Sequence, residues 1–128
     1  MKLLLDTHIF LWLNDQPEQL SVVALAACNN LENVLHISLI SLWEIQVKSQ
    51  LGKLQSRVSW QEMLKMQRAK NDLRTILLTE PHIEQLEHLE YHHRDPFDRM
   101  LIAQAQVERL SLVSADKAFA PYDVPVIW

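Results

Sequence analysis

The chain of 128 residues holds one glycine, Gly52, and one cysteine, Cys28. A single glycine excludes the loops that grip phosphate with successive backbone amides, because the P-loop and the dinucleotide fingerprint each need several glycines at fixed spacing. Any phosphate handled here must be met by side chains or by metal. A single cysteine excludes an internal disulfide, and a chain of this length buries enough surface to do without one. That pattern suits a reducing cytoplasm. Cys28 lies in the apolar run VVALAAC and reads as a small packed hydrophobe. Long apolar runs are missing too, so no membrane span is expected. The opening MKLLLDTHIFLWLND begins apolar, but Asp6 and His8 interrupt it too early for a span or a signal peptide.

Positive charge is in deficit, at 12 Lys and Arg against 16 Asp and Glu, and the net charge of −4 argues weakly against a nucleic-acid partner. Its distribution is uneven. Between Lys48 and Arg74 seven basic residues face two acids, Glu62 and Asp72, so this segment carries +5 and the remainder −9. Such asymmetry marks either a basic face or the wet side of a helix pair.

What is present is a regular alternation. KLLL, VLHIS, LRTILL, SLVSAD and VPVIW read as strands. THIFLWLN, SVVALAACNNLEN, LISLWEIQVKSQLG, SWQEMLKMQRAK, TEPHIEQLEHL and PFDRMLIAQAQVERL read as helices. Ser21, Ser59 and Thr79 are placed to cap three of them, and Gly52 to stop one. In the third helix the apolar spacing Ile40, Trp43, Val47, Leu51 predicts the buried stripe, and Trp12 and Trp43 are expected in the core. Strands alternating with helices imply one α/β domain over residues 1–128, with a mainly parallel central sheet covered by helices on both faces.

This architecture fixes where chemistry belongs. Ligands of such sheets bind outside the carboxyl ends of the strands, where the crossover helices also place N-termini. Asp6 ends the first strand, and Asp116 follows SLVS. Glu44 lies early in the helix after VLHIS. HHRDPFDRML offers two more aspartates. Asp95 directly precedes Pro96, and proline favours the first helical position, so Asp95 is the expected N-cap. Asp98 then takes the third helical position and can project from the rim, although the same position also suits one half of a capping box. Asp6, Glu44, Asp98 and Asp116, far apart in the sequence, should meet at one edge. Two unit charges 4 Å apart repel by roughly 1 kcal/mol even in water, and by more when partly buried. Four gathered carboxylates therefore call for a cation, and oxygen ligands select a hard one, Mg²⁺ or Mn²⁺. The chemistry that follows is metal-dependent phosphodiester hydrolysis.

Together LLLDTHIFLW, SLISLWEIQVKSQLGKL, HHRDPFDRMLIAQAQVERLSLVSAD and the closing VPVIW resemble a PIN-domain protein, and in particular the VapC-type ribonuclease toxins of bacterial toxin–antitoxin pairs. The resemblance runs over nearly the whole chain and is weakest over residues 53–91. It implies a PIN-like three-layer α/β/α sandwich, with the family's acids falling on Asp6, Glu44, Asp98 and Asp116 and its small hydroxyl residue on Ser114. It also implies Mg²⁺-dependent RNA cleavage, homodimerisation and a cognate antitoxin. The segment LISLWEIQVKSQLGKLQSRVSW, apolar and aromatic with Lys48, Lys53 and Arg57, suits an antitoxin seat in a groove between two helices, or else a surface that packs internally or forms the homodimer.

Other readings compete. His88, His92 and His93 suggest zinc, yet HLEYH lacks the metalloprotease glutamate placement and no cysteines assist; a solvated or RNA-facing histidine cluster is the alternative. His8 reads as a packed or capping histidine near Asp6. Arg94 and Arg99 suit either phosphate or a nearby acid, and Trp60 suits a partner contact. A strand ending LLLD also opens phosphatases of the aspartyl-phosphate type, but His8 stands where that chemistry needs a second aspartate. A non-catalytic interaction module with a relic acidic pocket is the third reading.

Overall fold

Leu3, Leu4 and Leu5 are fully buried in succession, which requires that both faces of their strand be covered. The computed structural model, which describes residues 1–128, shows how. β1 (Lys2–Leu5) is the middle strand of five. β2 (Val34–Ser38) and β3 (Arg74–Ile76) lie to one side, β4 (Ser111–Val113) and β5 (Val126–Ile127) to the other, giving the order β3-β2-β1-β4-β5 with every pairing parallel. The helices are α1 (Thr7–Asp15), α2 (Val22–Asn29), α3 (Leu39–Gln50), α4 (Trp60–Asn71), α5 (Glu80–Gln85) and α6 (Pro96–Glu108).

Side chains alternate across the sheet, and the core divides accordingly. Leu3, Leu5, Leu35 and Ile37 pack with Ile9 and Phe10 of α1, Ala24 and Cys28 of α2, and Met63 and Leu64 of α4. Leu4 and Leu112 pack with Leu101, Ile102 and Ala105 of α6 and with Phe119 and Tyr122. α3 serves both sides, sending Leu42 and Ile45 to the first core and Ile40 to the second. The result is the expected three-layer α/β/α sandwich. Burial pushes the Cys28 thiol up to about 11, as befits an inert packed cysteine.

The caps fall where the sequence indicates. Ser21 accepts from Ala24 N–H, Ser59 from Glu62 N–H, and Asp95 from Phe97 and Asp98 N–H. Gly52 takes φ +71°, a left-handed turn that costs glycine little, just beyond α3. Three expectations need correction. β3 and β4 stop after three residues each, because Leu77 and Leu78 run out to solvent and Ser114 turns to Asp6. The buried side of α3 is Ile40, Ser41, Leu42, Glu44 and Ile45, not the Trp43–Leu51 stripe. Trp43 is 60% exposed, with its ring edge-on to Phe97, and Trp12 is only half-buried against His8 and Trp128. Burying Glu44 rotates the helix, so polar function overrides the apolar period.

Arg99 pairs with no acid. It is buried, and its guanidinium donates to the carbonyls of Leu89, Glu90 and His93 while Tyr91 stacks 4.0 Å from it. Tyr122 Oη accepts from the backbone N–H of His92 and His93. Together they fix residues 89–93, the irregular segment that delivers the chain to α6. Arg99→Met should lower stability by about 2–3 kcal/mol, the scale of charge-assisted hydrogen bonds lost to carbonyls that stay buried. Urea unfolding measures this, and an unchanged midpoint would show that the clamp is dispensable.

Candidate functional site

Each candidate acid sits at a strand end or a helix start on the carboxyl edge of the sheet. Asp6 follows β1 directly and is the N-cap of α1: its Oδ1 accepts from Ile9 N–H at 3.0 Å, and its other oxygen accepts from the Ser114 hydroxyl. β4 ends one residue before Ser114, so the pairing of β1 with β4 brings the two together across 108 positions. Ser114 Oγ also accepts from Asp116 N–H at 3.0 Å, and Asp116 in turn accepts from Ala118 N–H. Glu44 is buried on the second turn of α3. Thr7 Oγ1 donates to its Oε1 at 2.6 Å, and Lys48, one turn on, pairs with its Oε2. Asp98 is at the third position of α6, one turn beyond the Asp95 cap.

The charges of these acids act on one another, although only Asp98 and Asp116, with His93, form a compact donor set, and Asp6 and Glu44 stand outside it. Burial pushes the Asp98 carboxyl up to about 7, reinforced by the charges of Asp95, Glu44, Asp6 and Asp116, in that order. Burial also raises Asp6, against the opposing pull of Ser114, Ile9 N–H and His8. Lys48 is raised, first by its hydrogen bond to Glu44, against desolvation, and then by the negative charges of Glu44, Asp95 and Asp98. Lys48 therefore supplies positive charge at the acidic rim. Its fellow basic residues of the 48–74 segment are exposed.

Beside the acids, Asp6, His8, Trp12, Ala115 and Asp116 line an open cavity of about 290 Å³. His8 is exposed there rather than packed.

The residue that sequence reasoning misplaced is His93. Its Nε2 lies 3.0 Å from Asp98 Oδ2 and 4.0 Å from Asp116 Oδ2, so an imidazole joins the carboxylates. His88 and His92 do not join it. His88 ends a short 3₁₀ turn and His92 pairs with Glu90, so the one-turn spacing expected of a zinc pair is never formed. The available signal was the position of His93, two residues before an N-cap that was itself legible.

Both carboxyl shifts run upward, so the sign is fixed. A carboxyl whose folded value exceeds its unfolded one favours the fold fully below the unfolded value, about 4, and loses that contribution as pH rises through the folded value. Cation-free protein should therefore become less stable as pH rises from 4 to 8. Asp98→Asn should melt above the parent at pH 8, with the gap closing towards pH 4, while Asp95→Ala should lose about 0.5–2 kcal/mol as a cap does. Thermal melts in EDTA across this range check both, and a parent that melts higher than Asp98→Asn at pH 8 would overturn the assignment.

The PIN domain family pattern matches residues 3–125. No curated protein matches the chain in sequence. Among solved structures, VapBC2 from Rickettsia felis, bound to a DNA fragment from its promoter, is similar with a TM-score of 0.72 at 20% identity, covering 98% of this chain and 97% of that one. FitAcB from Neisseria gonorrhoeae gives 0.62 at 19% identity over 97% and 95%. VapBC-5 from Mycobacterium tuberculosis, of the VapBC family of toxin–antitoxin systems, gives 0.61 at 17% over 98% and 96%. Identities this low speak for the fold, and the fold they share is the three-layer sandwich described above. The family pattern spans nearly all of it, and the chain belongs to the PIN-domain family.

Proposed function

We propose that this protein is a metal-dependent endoribonuclease, one PIN domain over residues 1–128, acting as the toxin of a toxin–antitoxin pair. The observation that supports the chemistry is Asp98, driven up to about 7 by burial and by the charges of Asp95, Glu44, Asp6 and Asp116, with Asp116 in its compact donor set. A fold does not gather repelling carboxylates for its own stability, and perturbed groups of this kind concentrate at functional sites.

The donor set fits a hard divalent cation. The four acids offer only carboxylate oxygens, which suit Mg²⁺, with Mn²⁺ as a substitute. Asp6, Glu44, Asp98 and Asp116 would hold it. When bound, a divalent cation supplies Lewis acidity, offsetting carboxylate charge and polarising a phosphodiester and its attacking water. The rest is done by the chain. Ser114 and Ile9 N–H hold Asp6 in one orientation, and Thr7 does the same for Glu44. Asp95 spends its carboxylate on the amides of α6 and so sets the direction from which Asp98 projects. Lys48 and the exposed bases of residues 48–74 draw in an RNA backbone.

The toxin reading rests on family membership and on the likeness to structures from toxin–antitoxin systems. Such a nuclease needs a neutralising protein, and a groove where it could sit lies between two helices. Between α3 and α4, Leu11, Ile45, Leu54, Val58, Trp60 and Met63 contribute to a groove of about 330 Å³, with Trp60 Nε1 bonded to Gln46. An amphipathic antitoxin segment would lay its apolar side there. A second copy of the chain forms the homodimer, in a reducing cytoplasm; no helix is long and apolar enough to cross a membrane.

Incubating the protein with RNA and with a phosphomonoester, in Mg²⁺ and in EDTA, tests the reaction. Cleavage of RNA alone, and only with the cation, is expected. Asp6→Asn should reduce it by roughly 100-fold or more, as loss of an electrostatic group in a site does, while melting no lower than the parent. A folded variant with near-parental cleavage would remove the four-acid site. Co-expression with the neighbouring reading frame should relieve toxicity, and hydrogen exchange should show protection within residues 40–66 in the complex. Protection confined elsewhere would remove the placement of the partner.

A further inference from the structure

His93 is held through its backbone and through Nδ1 of its ring. Tyr122 Oη accepts from its backbone N–H at 2.7 Å, and Arg99 reaches its carbonyl. Its ring lies 6.0 Å from that of Phe119, and its side chain is 17% exposed. Asp95 N–H donates to Nδ1 at 3.2 Å. Nδ1 therefore presents a lone pair, and in the neutral ring the hydrogen sits on Nε2.

Nε2 is buried and has no aligned hydrogen-bond partner, although Asp98 Oδ2 is only 3.0 Å away. Buried polar atoms without partners are rare and call for an explanation. One would be that Nε2 is a metal ligand, since it forms a compact donor set with Asp98 and Asp116. The tautomer argues against this. A ligand nitrogen must offer a lone pair, and with Nδ1 already accepting, neither nitrogen would keep a hydrogen, which a neutral imidazole does not permit. Ligating histidines instead donate from their second nitrogen. Nε2–H is thus a donor, a short swing from alignment with Asp98. Such bonds are often loose without ligand and tighten when the site fills.

We propose that His93 is a positioning residue, which restrains the Asp98 carboxylate through Nε2–H and so presets the orientation in which Asp98 binds the cation. This rests on the nuclease reading. The cap residue Asp95 then has two duties. Its carboxylate starts α6, and its N–H selects the tautomer that makes His93 a donor.

The two nitrogens can be replaced separately. Asparagine reaches as far as Nδ1 and can accept from Asp95 N–H, but leaves the Nε2 position empty. Glutamine can place a donor near the Nε2 position. MnCl₂ or MgCl₂ is titrated into EDTA-treated parent, His93→Asn, His93→Gln and His93→Ala, with melting temperature as one readout and RNA cleavage as the other. His93→Asn should keep a cation-free melting temperature near the parent's and need about 10–100-fold more cation for half its stabilisation, the usual loss when a metal ligand's supporting partner is removed. His93→Gln should stay within a few-fold of the parent. A purely structural role, fixing the segment through Nδ1, gives the opposite pattern, with Asn rescuing and Gln not, and overturns the proposal. If the Asn variant folds poorly, the Gln variant decides: a cation requirement equal to that of His93→Ala also overturns it. A parent protein unmoved by either cation in both readouts would sink the metal site itself, and this inference with it.

Discussion

Carboxylates gathered at one edge of a sheet repel one another, and much of the local structure serves to bear that repulsion. Asp6 is offset by a helix amide and by Ser114, Glu44 by Thr7 and Lys48, Asp95 by two amides of α6, and Asp116 by Ala118 N–H. Three of these acids cap helical turns, so the charge lies where helix N-termini are positive. Asp98 is the member with no aligned donor on its carboxylate, and burial with its neighbours' charges pushes it up to about 7. The rim is thus unevenly compensated, and its least compensated group stands beside an unpaired imidazole.

How much of this was legible depended on the range of the interaction. Caps, helix stops and strand runs are set within a few residues, and Ser21, Ser59, Asp95 and Gly52 do what their neighbourhoods indicate. The expectation that the acids share one edge came from a topological rule, since parallel strands and their crossover helices place strand ends and helix starts there. Trp43 was misread because helical periodicity counts apolar residues and cannot see that the helix turns to bury Glu44 against Thr7. Arg99 was misread because its partners are backbone carbonyls, which carry no sequence signature. His93 lay in between. Its position was plain, but the acceptor role of Nδ1 depends on the fold of residues 89–95.

The segment before α6 shows how an irregular stretch can hold functional groups as firmly as a helix does. Loops carry function when a scaffold fixes them, and the scaffold here is two side chains reaching out of the second core, Arg99 and Tyr122. A second polar strut runs behind the site. Ser38, which caps α3, donates to Gln104 of α6, and Gln104 reaches His82, which pairs with Glu108. This buried chain ties the helix bearing Glu44 to the helix bearing Asp98.

The central place of β1 bears on how the molecule comes into being. Its first four residues of strand pair with β2 some thirty positions later and with β4 more than a hundred positions later. Pairings this remote are slow to form, because the intervening chain must be gathered first. The hydroxyl that steadies Asp6 reaches it only through the second of these pairings. A chain still being synthesised has Asp6 and Glu44 long before the strand that completes their edge. Whatever chemistry this edge performs therefore waits until the sheet is finished.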